Sequence, residues 1–340
     1  MSCYITGYGA ALPGRIVTNA ELAGLLYVAP EWIEASSGVR ERRWVAADES
    51  SSDLAGEAVR LAIEDARVRA DEIDYLIGCT LSPDYQVPGI SPIVQQKTGA
   101  RNIPAVDIRV GCVGALYSLQ LARALIESRA AKTVVCFGAE AQSKGLELSA
   151  RCAELSMLFG DGAGAVVVRD ESALNESDFA LKVEDVLIKT DGRFAQDLIV
   201  RAPGTANGAM WFDPKDIDSG LHRGAMNGRS VILHAVRKLA DAAIEVTERN
   251  RVSMDAIDLI VPHQANANLL TQLAKRLSVG EEKIITNVER FGNTSGASVF
   301  LALWQARSER RFNPGARVLI VAFGAGFTWG AALGRVCGIG

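Results

Sequence analysis

The second half of this chain restates the first. Ala62-Ile63-Glu64 returns as Ala243-Ile244-Glu245, and the spaced pattern Asp71-x-Ile73-Asp74 returns as Asp255-x-Ile257-Asp258. Gly114-Ala115, opening one helical stretch, is matched by Gly296-Ala297, and Phe137-Gly138-Ala139 by Phe323-Gly324-Ala325. The separations are 181, 184, 182 and 186 residues, in one order and at nearly one spacing. Recurrence of this kind marks a duplicated structural unit. The unit itself is mixed: helical spacing over 54–68, 112–128, 229–249, 266–277 and 295–306 alternates with strand-like runs at 73–80, 104–108, 133–138, 164–168, 257–262, 317–323 and 328–336. That alternation predicts an α/β layered fold. We expect two copies, 1–170 and 229–340, packed about a pseudo-two-fold with a site where they meet. Residues 171–228 match neither copy. With Ala202-Pro203-Gly204 and Asp213-Pro214 they read as an inserted cap.

A net charge of −4 argues against a bulk nucleic-acid or anionic-membrane binder. No apolar run is long enough for a transmembrane helix, and the first residues lack the basic and apolar regions of a secretory signal. The six cysteines, at 3, 79, 112, 136, 152 and 337, include no CxxC pair, which suggests free thiols in a reducing cytoplasm. Three histidines, at 222, 234 and 263, leave no room for a multi-histidine metal site.

A few positions stand out as chemistry. Cys112 follows a strand and opens a helix between Gly111 and Gly114, where the helix dipole is expected to lower a thiol pKa; a buried structural cysteine is the plainer alternative. His263, in Pro262-His263-Gln264-Ala265-Asn266, ends a strand of the second copy, where α/β folds place ligands; it could equally be a hydrogen-bonded loop histidine. Asn293, in Gly292-Asn293-Thr294-Ser295, reads alone as a helix N-cap, but the duplication sets its helix opposite that of Cys112. His222 and His234 read as structural. Phe159-Gly160-Asp161-Gly162-Ala163-Gly164-Ala165 is glycine-rich but runs into a strand, so it is a turn and no nucleotide loop. The stretch Phe323 to Gly330 is either a plain hairpin or a source of backbone N–H groups.

Taken together these words resemble the β-ketoacyl-[acyl carrier protein] synthase III family of the thiolase superfamily. Glu31-Trp32-Ile33 and Gly38-Val39-Arg40-Glu41-Arg42 add to the match, which spans nearly the whole chain outside the cap. The resemblance implies a duplicated thiolase fold of five layers, αβαβα, and a homodimer. It implies Cys112 as nucleophile with His263 and Asn293 completing the catalytic set, and the backbone N–H groups of Cys112 and Ala325 as the oxyanion hole. Trp32, Val87, Asn266 and Phe323 would contact substrate, and Lys275 and Arg276 would dock a carrier protein. The implied reaction joins an acyl group from acyl-coenzyme A, held on Cys112, to a decarboxylated malonyl thioester on acyl carrier protein or coenzyme A. The coenzyme A thioester is a substrate, and no metal or redox cofactor is called for. A second acidic group beside the developing enolate would oppose it, so none is expected there.

The chain departs from the family pattern at Ser36, Ala267 and His234, where basic residues are usual. Asp107-Ile108-Arg109 and Thr80-Leu81-Ser82-Pro83-Asp84 look more like specialised members, such as the condensing enzyme of alkylquinolone synthesis. Arg109 is expected to be a buried structural partner. Val87 falls where acetyl-specific members carry phenylalanine, which implies a longer or bulkier starter. A specialised acyltransferase is the alternative. A papain-like hydrolase would share the Cys–His–Asn order, but the signature such hydrolases carry around the cysteine is absent here. A non-catalytic partner subunit would usually have lost the cysteine.

Overall fold

The computed structural model describes residues 2–174, 179–208 and 210–338. Among them the principal strands are β1 (Cys3–Ala11), β2 (Tyr75–Cys79), β3 (Ala105–Ile108), β4 (Thr133–Glu140), β5 (Gly162–Asp170), β6 (Ala180–Thr190), β7 (Leu259–Pro262), β8 (Arg317–Gly324) and β9 (Thr328–Cys337). They form one sheet in the order β7-β8-β9-β6-β1-β5-β4-β2-β3. The layer helices are α1 (Ser51–Asp65), α2 (Ile90–Thr98), α3 (Gly114–Glu127), α4 (Gly228–Arg249), α5 (Ala267–Leu277) and α6 (Ser298–Ser308).

The sheet is two copies of one pattern. In the first, β1 pairs antiparallel with β5, β5 antiparallel with β4, β4 parallel with β2 and β2 parallel with β3. In the second, β6 pairs antiparallel with β9, β9 antiparallel with β8 and β8 parallel with β7; a parallel bridge between Ile260 and Ile284 stands in the place of β3. The copies meet where β1 and β6 pair antiparallel, Cys3 opposite Val183 and Ile5 opposite Leu181. Residues 180–190 are therefore a central strand, and the expected cap over 171–228 is corrected: the second copy starts at β6. The repeat is unreadable there because its first strand shares geometry with β1 but no residues. Only the connection from β6 to α4 behaves as a cap.

Period-two alternation sorts the side chains into layers. In β4, Val134 and Cys136 face the middle of the molecule, while Val135 and Phe137 face outward. The middle holds Leu116 and Leu119 of α3 and Phe300 and Leu303 of α6 between the two copies. Outside the first copy, Val135 and Phe137 pack with Val59 and Ala62 of α1 and Val94 of α2. Outside the second, Leu319 and Val321 pack with Leu239 and Ala243 of α4 and Leu270 and Leu273 of α5. The result is the five-layered αβαβα thiolase fold. Helix starts follow local rules: Ser50 caps α1 in a capping box with Asp53, and Asn266 caps α5 through Asn268 and Leu269 N–H.

One close approach fixes the middle layer against the first copy. A Cβ placed on Gly138 of β4 would lie 2.2 Å from the carbonyl oxygen of Gly296, just before α6. Backbone cannot yield that distance cheaply. Gly138→Ala is expected to lower stability by about 1–3 kcal/mol, read as a drop in thermal midpoint. A midpoint equal to the wild type would show that the two elements separate freely.

Candidate active site

Cys112 sits in a single 3-10 turn, Gly111–Val113, that runs into α3. Gly111 has φ +56°, a left-handed conformation that suits glycine and turns the chain sharply from β3. Cys112 is half-buried on the wall of a cavity of about 870 Å³, which Ser295, Ala325, Leu81, Tyr85, Phe159 and His222 also line. The hairpin turn between β8 and β9 presses on it: a Cβ on Gly324 would be 3.1 Å from the Cys112 Cβ. Ala325, the next residue, thereby shares the cavity with the thiol. The expectation of a lowered thiol pKa is reversed. Burial pushes Cys112 up to about 11, the Ser295 hydroxyl opposes that, and Glu140 adds to it. The α-helix proper begins only at Gly114, so the sulfur is separated from it by the 3-10 turn.

Asn293 and His263 stand behind the cavity wall, 6% and 3% exposed. The backbone of Asn293 is clamped to the glycine-rich turn: its N–H donates to Leu158 O at 2.8 Å and its carbonyl accepts from Gly160 N. Its Oδ1 accepts from Ser295 N at 2.8 Å, which leaves Nδ2 without a partner among the described residues. Arg42, fully buried, braces this turn by donating to Met157 O and Asn19 Oδ1. His263 ends β7, its N–H donating to Val321 O of β8 at 2.8 Å. Gln264 holds that backbone in place through Ser298 Oγ, Pro262 O and Ile285 O. The His263 Nδ1 is enclosed with no partner among the described residues, and burial depresses the imidazole to about 3, which favours its neutral form. Asn293 is tied to Cys112 through one residue, Ser295, whose Oγ is 3.8 Å from the sulfur.

Three groups at the site escaped sequence reading. Glu140 is fully buried at the end of β4. It accepts from Ser82 Oγ at 2.6 Å, Leu81 N, Thr80 Oγ1, Gln142 Nε2 and Gly296 N. No local pattern marks it: Glu140 is the last residue of β4, paired with Gly162 of β5. Ser295 carries φ +44°, unusual for serine. His222 reaches the cavity from the connection between β6 and α4, together with Leu198, Ile199 and Val200; no local pattern marks it.

The family model for 3-Oxoacyl-[acyl-carrier-protein (ACP)] synthase III matches residues 106–192, and that for the synthase III C terminal matches residues 247–336. The beta-ketoacyl-[acyl-carrier-protein] synthase III of Clostridium perfringens is 37% identical over 97% of this chain and 98% of its own. The chain belongs to the β-ketoacyl-[acyl carrier protein] synthase III family. It is a condensing acyltransferase of the thiolase superfamily. The 3-oxoacyl-[acyl-carrier-protein] synthase III of Aquifex aeolicus superposes with a TM-score of 0.87 at 32% identity, covering 98% of this chain and 99% of that one. The priming β-ketosynthase of the R1128 polyketide pathway does so at 0.86 and 29%, covering 99% and 96%.

The remaining residues singled out for this synthase III lie elsewhere. Trp32, Val87, Asn266 and Phe323 are not on the cavity wall. Trp32 projects from the helix Pro30–Ser37. Val87 is 87% exposed, two residues beyond the lining residue Tyr85. The Asn266 amide is spent on capping α5 and on donating to Ser36 O at 3.1 Å. Phe323 packs behind the turn, 4.9 Å from Phe327 between ring centroids. Lys275 and Arg276 are exposed in the last turn of α5, Arg276 standing 3.7 Å from Asp241. Arg109, expected to be buried, is exposed. All six cysteines are free, and no cluster of metal-ligating side chains occurs among the described residues. No described helix is long and apolar enough to cross a membrane.

Proposed function

We propose that Cys112 takes the acyl group from an acyl-coenzyme A and passes it to the carbanion of a decarboxylated malonyl thioester. The supporting observation is the meeting of Cys112 with the Gly324-Ala325 turn in one cavity, at the junction of the two copies. In the first step the Cys112 sulfur bonds to the acyl carbon, the bond to the coenzyme A sulfur breaks, and the thiol proton ends on the departing thiolate. The N–H groups of Cys112 and Ala325 would receive the oxyanion, each such donor being worth a few kcal/mol. In the second step the malonyl thioester loses CO2. Its enolate oxygen meets the free Nδ2 of Asn293 and the N–H of a neutral His263, two uncharged donors. The carbanion attacks the acyl carbon, the bond to sulfur breaks so that Cys112 leaves as a thiolate and regains its proton from solvent, and a β-ketoacyl thioester departs. No step needs a metal or redox cofactor.

The extender is carried on acyl carrier protein in this reading, docked through Lys275 with Arg276, in the cytoplasm. A homodimer is supported by the apolar surface around the sheet edge: Val106 of β3, Leu121 of α3, Tyr85 and Val87 are all exposed. Val87 would then enter the partner's acyl channel. A valine there in place of phenylalanine favours longer, branched or aromatic starters over acetyl, each buried CH2 adding about 0.8 kcal/mol. Likeness to a polyketide priming enzyme favours the same specialised reading. Competition among acyl-coenzyme A thioesters of graded size, read as the mass added to Cys112, is expected to select a larger group in the wild type. Val87→Phe should shift the selection toward acetyl. Acetyl winning in the wild type would return the protein to ordinary fatty-acid initiation.

A further inference from the structure

His263 and Asn293 stand on separate segments, yet decarboxylation needs both donors at one oxygen. One side chain ties the segments together. Gln264 is fully buried. Its Nε2 donates to Pro262 O at 3.0 Å and to Ile285 O at 2.9 Å. Its Oε1 accepts from Asn287 N at 2.8 Å and from Val288 N at 3.3 Å. A glutamine amide offers two N–H donors and two acceptor lone pairs, so every capacity of this one is used. The backbone N–H of Gln264 donates in addition to Ser298 Oγ at 2.7 Å.

These bonds fall at the two ends of one loop. Asn287 and Val288 open the short helix Val288–Phe291, where Gly292 N donates back to Val288 O at 2.9 Å and the chain passes into Asn293. Ser298, also fully buried, opens α6 on the far side of Asn293. The residue before Gln264 is His263 itself. A backbone bond from Ile285 N to Ile260 O joins the same two segments, but earlier along both. No bond of Gln264 reaches Cys112 or Ala325 among the described residues.

We propose that Gln264 is a positioning residue that fixes the span between the His263 imidazole and the Asn293 amide, so that both donors meet the enolate oxygen of the decarboxylated malonyl thioester. The proposal rests on His263 and Asn293 being those donors. With the Gln264 amide removed, Asn287 N and Val288 N lose their acceptor in a buried place, and that end of the loop is released. A displacement of about 1 Å between groups that must converge on one atom lowers a rate about a hundredfold. Acylation of Cys112 uses neither donor and is independent of this span.

The test follows the two half-reactions separately: the mass added to Cys112 by an acyl-coenzyme A, and the CO2 released from malonyl-[acyl carrier protein]. Gln264→Met keeps the length and bulk of the side chain and removes its hydrogen bonds. It is expected to lower kcat for CO2 release about 30- to 100-fold, with KM and the rate of Cys112 acylation within about threefold of the wild type. Ser298→Ala removes one bond and is expected to show the same pattern at about fivefold. Added to His263→Ala, Gln264→Met should slow CO2 release less than about threefold further, because no second donor remains to be aligned. A loosened fold would instead slow both half-reactions and act in full again in the double variant; either result overturns the proposal, as does CO2 release at the wild-type rate in Gln264→Met. If Gln264→Met does not fold, Ser298→Ala decides: unchanged CO2 release rejects the proposal, and a drop confined to CO2 release upholds it. Failure of the donor assignment looks different, since His263→Ala alone would then release CO2 at the wild-type rate.

Discussion

Cys112→Ser should abolish the single acyl adduct that the wild type forms with acyl-coenzyme A, with residual turnover down by at least about a thousandfold. The five other cysteines give no competing adduct in this expectation. Cys3, Cys79 and Cys136 are buried, with thiols raised first by desolvation. Cys152 and Cys337 are half-buried and do not line the cavity. Cys112 alone combines access with an adjoining turn that can receive an oxyanion. Intact-mass measurement decides the matter, and an adduct that survives the substitution would remove Cys112 from the chemistry.

His263→Ala and Asn293→Ala should each leave acylation of Cys112 within a fewfold of the wild type while slowing malonyl decarboxylation by about a hundred- to a thousandfold. The reason is spatial: the acyl group meets Cys112 and Ala325 in the open cavity, whereas the two donors stand deeper. The pH profile carries a second check. A free imidazole titrates near 6.5, but burial holds His263 near 3, so the decarboxylation step should show no inflection around pH 6.5. Loss of acylation first, in either variant, would reverse these roles. Burial also has a stability cost at low pH. Because the folded-state pKa lies below the unfolded value, the unfolded chain binds the proton first, and stability falls as pH drops from about 6.5 toward 3.

The layers were legible because the words that recur are those that pack: Ala62-Ile63-Glu64 and Ala243-Ile244-Glu245 lie on the corresponding helices α1 and α4, Phe137-Gly138-Ala139 lies on β4, and Phe323-Gly324 ends β8 with Ala325 in the turn after it. β6 was not legible, since Ala180–Thr190 interleaves Lys182, Glu184 and Asp185 with its apolar residues and breaks register opposite Leu333 and Gly334. The places of Cys112, His263 and Asn293 at element ends were readable from the sequence. That of Glu140 was not, because an acid after an apolar strand reads as the start of solvent, and only the fold shows it closed over by Thr80, Leu81, Ser82 and Gly296. The thiol pKa was misjudged for a related reason: a helix dipole can be read from sequence, whereas desolvation depends on what the other copy brings.

The seam between β1 and β6 settles how this molecule can be divided. Each copy ends its own sheet with that strand, so either half made alone would present a bare hydrogen-bonding edge and the stripped apolar flank of α3 or α6. Cys112 comes from one side of the seam, while His263 and Asn293 come from the other. Either half expressed alone is therefore expected to be association-prone and inactive, and activity is expected to return only when both segments are brought back together along that edge.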